Sequence, residues 1–175
     1  MKLSQPYSDT SVFPQNWLFA ERHMPAVRSI LGDLPARIFF DVATAPVKKD
    51  MEQATDLILS SVGSGDIAVR VRANKYFRRA HGYYEWSVRY YNKGCKTEYQ
   101  KLKEGFGRWY FMAYSSDDDG KLAGWWLIDL DKVRVADILD KNWKVHPNGD
   151  GTSGMYIPIK ELMLADCVVA SHKPN

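Results

Sequence analysis

The chain has 175 residues, of which 45% are hydrophobic and 26% charged, with a net charge of +3. A domain of this size buries a core without disulfide or metal staples, and the composition excludes collagen-like, coiled-coil and wholly disordered chains. The two cysteines, Cys95 and Cys167, are unclustered and lack metal-ligand spacing, which argues against a disulfide framework and against structural zinc. No apolar run approaches a membrane span and the N-terminal residues lack an apolar leader, so a single cytoplasmic domain over residues 1–175, without membrane contact, is expected.

In chain order, apolar residues recur at spacings of three and four over residues 14–34 (Trp17, Leu18, Met24, Val27, Ile30, Leu31), which predicts one amphipathic helix, bent near Pro25. An extended run follows from Arg37 to Val42, then a polar turn from Lys48 to Thr55. Asp56 to Val62 and Ile67 to Arg72 read as two strands of a hairpin around Gly63-Ser64-Gly65-Asp66. Alternation in Val69-Arg70-Val71-Arg72 sets both arginines on one face and both valines on the other. Tyr84 to Tyr91 predicts a third strand, Lys96 to Glu104 a helix closed by Gly105, and Trp109 to Ser115 and Trp125 to Leu130 two more strands. Residues 131–175 read as an extension: a helix over Val133 to Leu139, a glycine-rich loop over Asn148 to Gly154, a short strand over Met155 to Ile159, and a final turn from Lys160.

Charge is segregated along this order. Between residues 70 and 110 eleven Lys/Arg stand against three acids, which leaves the rest of the chain net negative. Arg70, Arg72, Lys75, Arg78, Arg79 and Arg89 are interleaved with Tyr76, Phe77, Tyr83, Tyr84, Trp86, Tyr90 and Tyr91. Cations for phosphates beside rings for bases or sugars are what a DNA- or RNA-binding face requires. The plain alternative is a solvated sheet with aromatic residues on its buried side. Two like charges on one strand face are costly unless phosphates or internal carboxylates meet them, and the sequence leaves both options open.

Helix, three strands, helix and two strands resembles the restriction endonuclease-like core of the PD-(D/E)xK nucleases. The resemblance implies an α/β (α+β) fold whose central mixed sheet of about five strands is flanked by helices, with a nuclease-like core over residues 37–130. It also implies a divalent cation, Mg²⁺, held by carboxylates, with a lysine orienting the attacking water. Asp56, at the start of a predicted strand, matches the family's Asp. Where an acid-x-Lys triplet should stand, the chain has Arg70-Val71-Arg72, which supplies neither a metal-binding oxygen nor a titratable amine.

Some members carry these groups on the following helix, where Thr97-Glu98-Tyr99-Gln100-Lys101 supplies both. On that reading Asp56 and Glu98 hold the metal, Lys101 completes a catalytic set, and Arg70 and Arg72 bind phosphate oxygens. The order of Thr55-Asp56, Ile67 to Arg72, Thr97 to Lys101, Gly105-Phe106-Gly107-Arg108-Trp109-Tyr110 and Trp125 to Leu130 is also similar to that of small phage and prophage proteins.

Two functions follow from the resemblance: a Mg²⁺-dependent nuclease, or an inactive nuclease-like binding module, such as a phage inhibitor of a host defence complex. A homodimer is a further expectation. Each residue also has a structural alternative, with Asp56 as a turn cap and Glu98 with Lys101 as an ordinary helix pair. A third reading pairs the arginines internally with Asp56 and Glu98 and leaves a protein-binding domain. Asp117-Asp118-Asp119 lacks EF-hand spacing, the four histidines are scattered, and Gly63 to Gly65 is no phosphate loop, so no organic cofactor is expected.

Overall fold

The computed structural model describes residues 13–34, 41–44, 57–60, 65–73, 84–116 and 120–173. Helix α1 (Phe13–Asp33) carries Pro25 within it, as the periodicity predicts. Strands β1 (Asp41–Thr44), β2 (Leu57–Ser60) and β3 (Gly65–Arg72) pair antiparallel in succession. Strand β4 (Glu85–Tyr91) then leaves this sheet, and helix α2 (Glu98–Lys103) leads into β5 (Trp109–Ser115), which returns parallel to β3. Strand β6 (Leu122–Asp129) pairs antiparallel with β5, and β9 (Val168–His172) with β6. The large sheet therefore runs β1-β2-β3-β5-β6-β9.

A second sheet, ordered β4-β8-β7, is built from β4 with β7 (Lys144–Pro147) and β8 (Ser153–Pro158). Between and after these strands lie α3 (Leu130–Val135), a 3-10 turn (Ile138–Asp140) and α4 (Ile159–Leu164). The fold is thus α+β, with a mixed sheet flanked by helices. Two details of the sequence reading change. The large sheet has six described strands rather than about five, and the third predicted strand, Tyr84 to Tyr91, belongs to the smaller sheet, with β1 taking its place in the larger one. The C-terminal residues also give more structure than their weak patterning announces: β9 extends the large sheet, and β7 and β8 give β4 its partners.

The core follows from the alternation of the strands. Every residue of β5 is buried, so its apolar run is that of a strand covered on both faces. Trp109, Phe111 and Ala113 face α1, where they meet Val27 and Leu31 together with Ile67 and Leu127. Tyr110, Met112 and Tyr114 face the other way, into a larger core shared with Trp86 and Val88 of β4, Met155 and Ile157 of β8, and Leu162 of α4. Ile67, Val69 and Val71 accordingly lie on the α1 side of β3, while Ala68 enters the larger core. Arg70 and Arg72 share the parity of Ala68, and the alternation carries them to the side of the small sheet.

Leu31 is fully buried and anchors α1 to the large sheet. Leu31→Ala is expected to destabilise the protein by about 2–5 kcal/mol through lost burial and the cavity left behind, measured by denaturant unfolding.

Candidate anion-binding site at the end of strand β3

Helix α2 begins with a reciprocal cap. The buried Thr97 accepts a hydrogen bond from the Gln100 backbone N–H, and the Gln100 side chain accepts one from the Thr97 backbone N–H. This fixes Glu98 in the first helical turn with its carboxylate turned toward the sheets, where both oxygens are engaged. Tyr110 donates its hydroxyl to Oε1 at 2.6 Å, while Arg70 donates through Nη2 to Oε2 at 2.8 Å, and the Arg89 backbone N–H donates to Oε2 at 2.8 Å. Arg70 also donates through Nε to the Tyr110 hydroxyl at 3.0 Å, which closes a three-membered ring of side chains. The ladder between β4 and β8 is irregular between Arg89 and Tyr91, at the point where the Arg89 amide meets the carboxylate.

The electrostatics follow from this ring. Burial pushes the Tyr110 phenol up, the neighbouring Glu98 carboxylate adds to the rise, and Arg70 opposes it. For Arg70 burial alone would favour the neutral form, but Glu98 and Tyr110 outweigh it, and the guanidinium is held more firmly protonated than in water. Arg70 is therefore a fixed cation whose charge is met inside the protein. Its neighbour Arg72 lies with its guanidinium carbon 5.4 Å from the centre of the Tyr156 ring.

Above the ring of Arg70, Glu98 and Tyr110, a cleft of about 300 Å³ is lined by Arg70, Arg72, Ser87, Val88, Arg89, Asn148, Gly154 and Tyr156. Arg72 and Arg89, beside the Glu98-paired Arg70, together with a hydroxyl, an amide and a phenol, make a donor-rich, cationic recess. Such a group suits phosphate, since guanidinium forks match its oxygens in pairs.

The residues singled out in the sequence divide as follows. Arg70, Arg72 and Arg89 converge on the cleft, and Glu98 lies beneath it. Lys101 is buried one turn along α2. Asp56, Lys75, Arg78 and Arg79 lie outside the described residues, as do Asp117, Asp118 and Asp119. Tyr110, Ser87, Asn148, Gly154 and Tyr156 were not among the sequence candidates. Tyr110 and Tyr156 lie in segments readable as strands, but their place at the site depends on the parallel register of β3 with β5 and on the pairing of β4 with β8, which local pattern does not encode.

As a ligand for Mg²⁺, the Glu98 carboxylate does not fit in this arrangement: its two oxygens already accept three hydrogen bonds, and a guanidinium occupies the adjoining space. Among the described residues no group of three or more His, Cys, Asp or Glu side chains is placed to hold a metal ion.

The glycine-rich start of β5 and the Asp-Leu end of β6 have a structural use. Arg108 forks both oxygens of the buried Asp129 at 2.9 and 3.1 Å and also contacts Asp131. Asp129 in turn caps α3 through the backbone N–H groups of Asp131 and Lys132. Arg134 donates to the carbonyls of Leu102, Phe106 and Gly107, tying the loop after α2 to α3. Gly107 has φ +75° and a Cβ there would stand 3.1 Å from Leu130, so the close approach of this loop requires glycine.

No protein-family model matches the chain. No curated protein matches it either. Among solved structures, a nuclease from a fusselovirus superposes with a TM-score of 0.42 at 16% sequence identity, over 95% of this chain and 96% of that one.

Loss of the Glu98 carboxylate would leave the Arg70 charge and the Tyr110 hydroxyl without their shared acceptor. Glu98→Ala is expected to cost about 3 kcal/mol in denaturant unfolding, with Glu98→Gln costing less because one acceptor oxygen remains. The raised phenol of Tyr110 sets a second expectation. Its contribution is complete below the unfolded tyrosine value of about 10 and declines above it, because the unfolded chain then releases a proton that the folded chain keeps. The stability difference between wild type and Tyr110→Phe should therefore shrink as pH rises past about 10, measured by urea unfolding across a pH series.

Proposed function

We propose that this protein binds nucleic acid through its phosphates at the cleft of Arg70, Arg72 and Arg89, as a non-hydrolytic module built on a nuclease-like core. The observation that carries this reading is the pairing within the site. The acid offered by α2 is committed to Arg70, Tyr110 and the Arg89 amide, whereas the cleft above it presents cationic and neutral donors to an incoming anion. The core supports it by its order: α1, three antiparallel strands, α2, and β5 parallel to β3, with β4 inserted. In that order Arg70-Val71-Arg72 ends β3, where the PD-(D/E)xK resemblance would have the acid-x-Lys triplet.

The same order favours a second reading, a Mg²⁺-dependent nuclease using Asp56, Glu98 and Lys101. It requires Glu98 to exchange its present partners for a metal. The two readings separate in one experiment: binding and cleavage of DNA and RNA with Mg²⁺, with Mn²⁺ and with EDTA. The expected result is salt-sensitive binding without cleavage, with Arg72→Ala and Arg89→Ala each lowering the slope of log affinity against log salt by about one. Metal-dependent cutting that Asp56→Ala and Glu98→Ala both abolish would replace the binding module with the nuclease. Absence of binding and cutting together would remove both and direct the search to protein partners.

A further inference from the structure

The cleft continues onto one face of the small sheet. Alternation sends Trp86 and Val88 of β4, and Met155 and Ile157 of β8, into the core, so Ser87, Arg89, Gly154 and Tyr156 belong to the opposite face. Residues paired across antiparallel strands share a face. Ser87 pairs with Tyr156 and Tyr156 with Lys144, which makes one row; Arg89 pairs with Gly154 and Gly154 with His146, which makes the next. In the second row a cationic side chain and an imidazole stand on the outer two strands, with their backbones about 10 Å apart, and glycine stands between them.

That glycine has a clear consequence. A Cβ at Gly154 would fall 3.0 Å from the Tyr156 hydroxyl oxygen and 3.1 Å from two of its ring carbons. The ring therefore lies back across Gly154, along the sheet rather than upright from it. The His146 ring lies tilted beside it with ring centres 5.6 Å apart, and the Arg72 guanidinium stands over it, its carbon 5.4 Å from the ring centre. Tyr156 is only partly buried and lines the cleft, while Lys144, Val145 and His146 on β7 are all exposed. An aromatic ring laid along a sheet and already stacked by a guanidinium offers a flat surface that an unpaired base can take over.

Building on the phosphate-binding reading, we infer that the preferred ligand is single-stranded nucleic acid. One base takes the place of the Arg72 guanidinium on the Tyr156 ring as Arg72 turns with Arg89 to its phosphate in the cleft, and the strand continues over β7 past His146 and Lys144. A duplex keeps its bases stacked inside and has no ring face to offer Tyr156.

Fluorescence anisotropy with single-stranded and duplex 12-mers of the same sequence, in DNA and RNA, tests this. Single strands are expected to bind at least about tenfold more tightly than duplexes, and Tyr156→Leu to lose about tenfold for single strands with duplex affinity unchanged. Tyr156→Phe should retain the preference, and Lys144→Ala, an exposed position, should weaken single-strand binding and reduce its salt slope. Thermal unfolding of each variant identifies any that fails to fold, and Tyr156→Phe and Lys144→Ala then carry the comparison. Equal affinity for single strand and duplex, or single-strand binding indifferent to both Tyr156→Leu and Lys144→Ala, would overturn the inference. If duplex binding persists and depends on Arg72 and Arg89, the phosphate site stands and the platform falls; if neither form binds, both fall.

Discussion

One carboxylate organises the centre of this molecule. Glu98 sits at the start of α2, yet its three hydrogen-bond donors come from β3, β4 and β5, so a single side chain joins the large sheet, the small sheet and the helix between them. An ionised carboxylate at 11% exposure is tolerable only because a guanidinium and two further donors replace its water. The same contacts orient Arg70 and position the Arg89 backbone at the mouth of the cleft. Scaffold and cleft thus share these atoms, and both oxygens of the acid are engaged by donors of this chain.

Much of the scaffold was legible in the sequence because its signals are local. The period of α1, the alternation of β3, the helical composition of Lys96 to Glu104 before Gly105 and the strand-like run of Trp109 to Ser115 each report their own conformation, and the structure reproduces them. The separation of Arg70 and Arg72 from Val69 and Val71 was likewise fixed by a period of two. What could not be read was partnership. Tyr84 to Tyr91 is unmistakably a strand, but nothing in its composition says that it pairs with residues 153–158 rather than with β3. Strands β7 and β9 are short and lie at sheet edges, so neither carries the dense apolar pattern that announces a central strand.

The candidate site shows the same division. The arginines were visible as an excess of like charge that needed an answer, and internal carboxylate pairing was one of the answers open from sequence. The structure supplies it for Arg70 through Glu98 and adds Tyr110, whose hydroxyl becomes relevant only once β5 lies parallel to β3. Tyr156 and Gly154 belong to a face created by the pairing of β4, β8 and β7. By contrast, the glycine-rich and Asp-Leu segments that stood out as motifs serve the clamp of Arg108 and Arg134 around α3, where the chemistry is that of caps and buried ion pairs.

The insertion of β4 between β3 and α2 has a consequence for how the chain is made. The residues that meet at Glu98 span only positions 70 to 110, so this junction can close while the C-terminal third is still being synthesised. Strand β4, however, waits for β8, more than sixty residues downstream. During that interval it carries Trp86 and Val88 without their cross-strand neighbours Ile157 and Met155, beside an open hydrogen-bonding edge. A nascent chain stalled or truncated before β8 would present a sticky, half-finished sheet, and the later strands then act as the closure that converts an aggregation-prone intermediate into a finished domain.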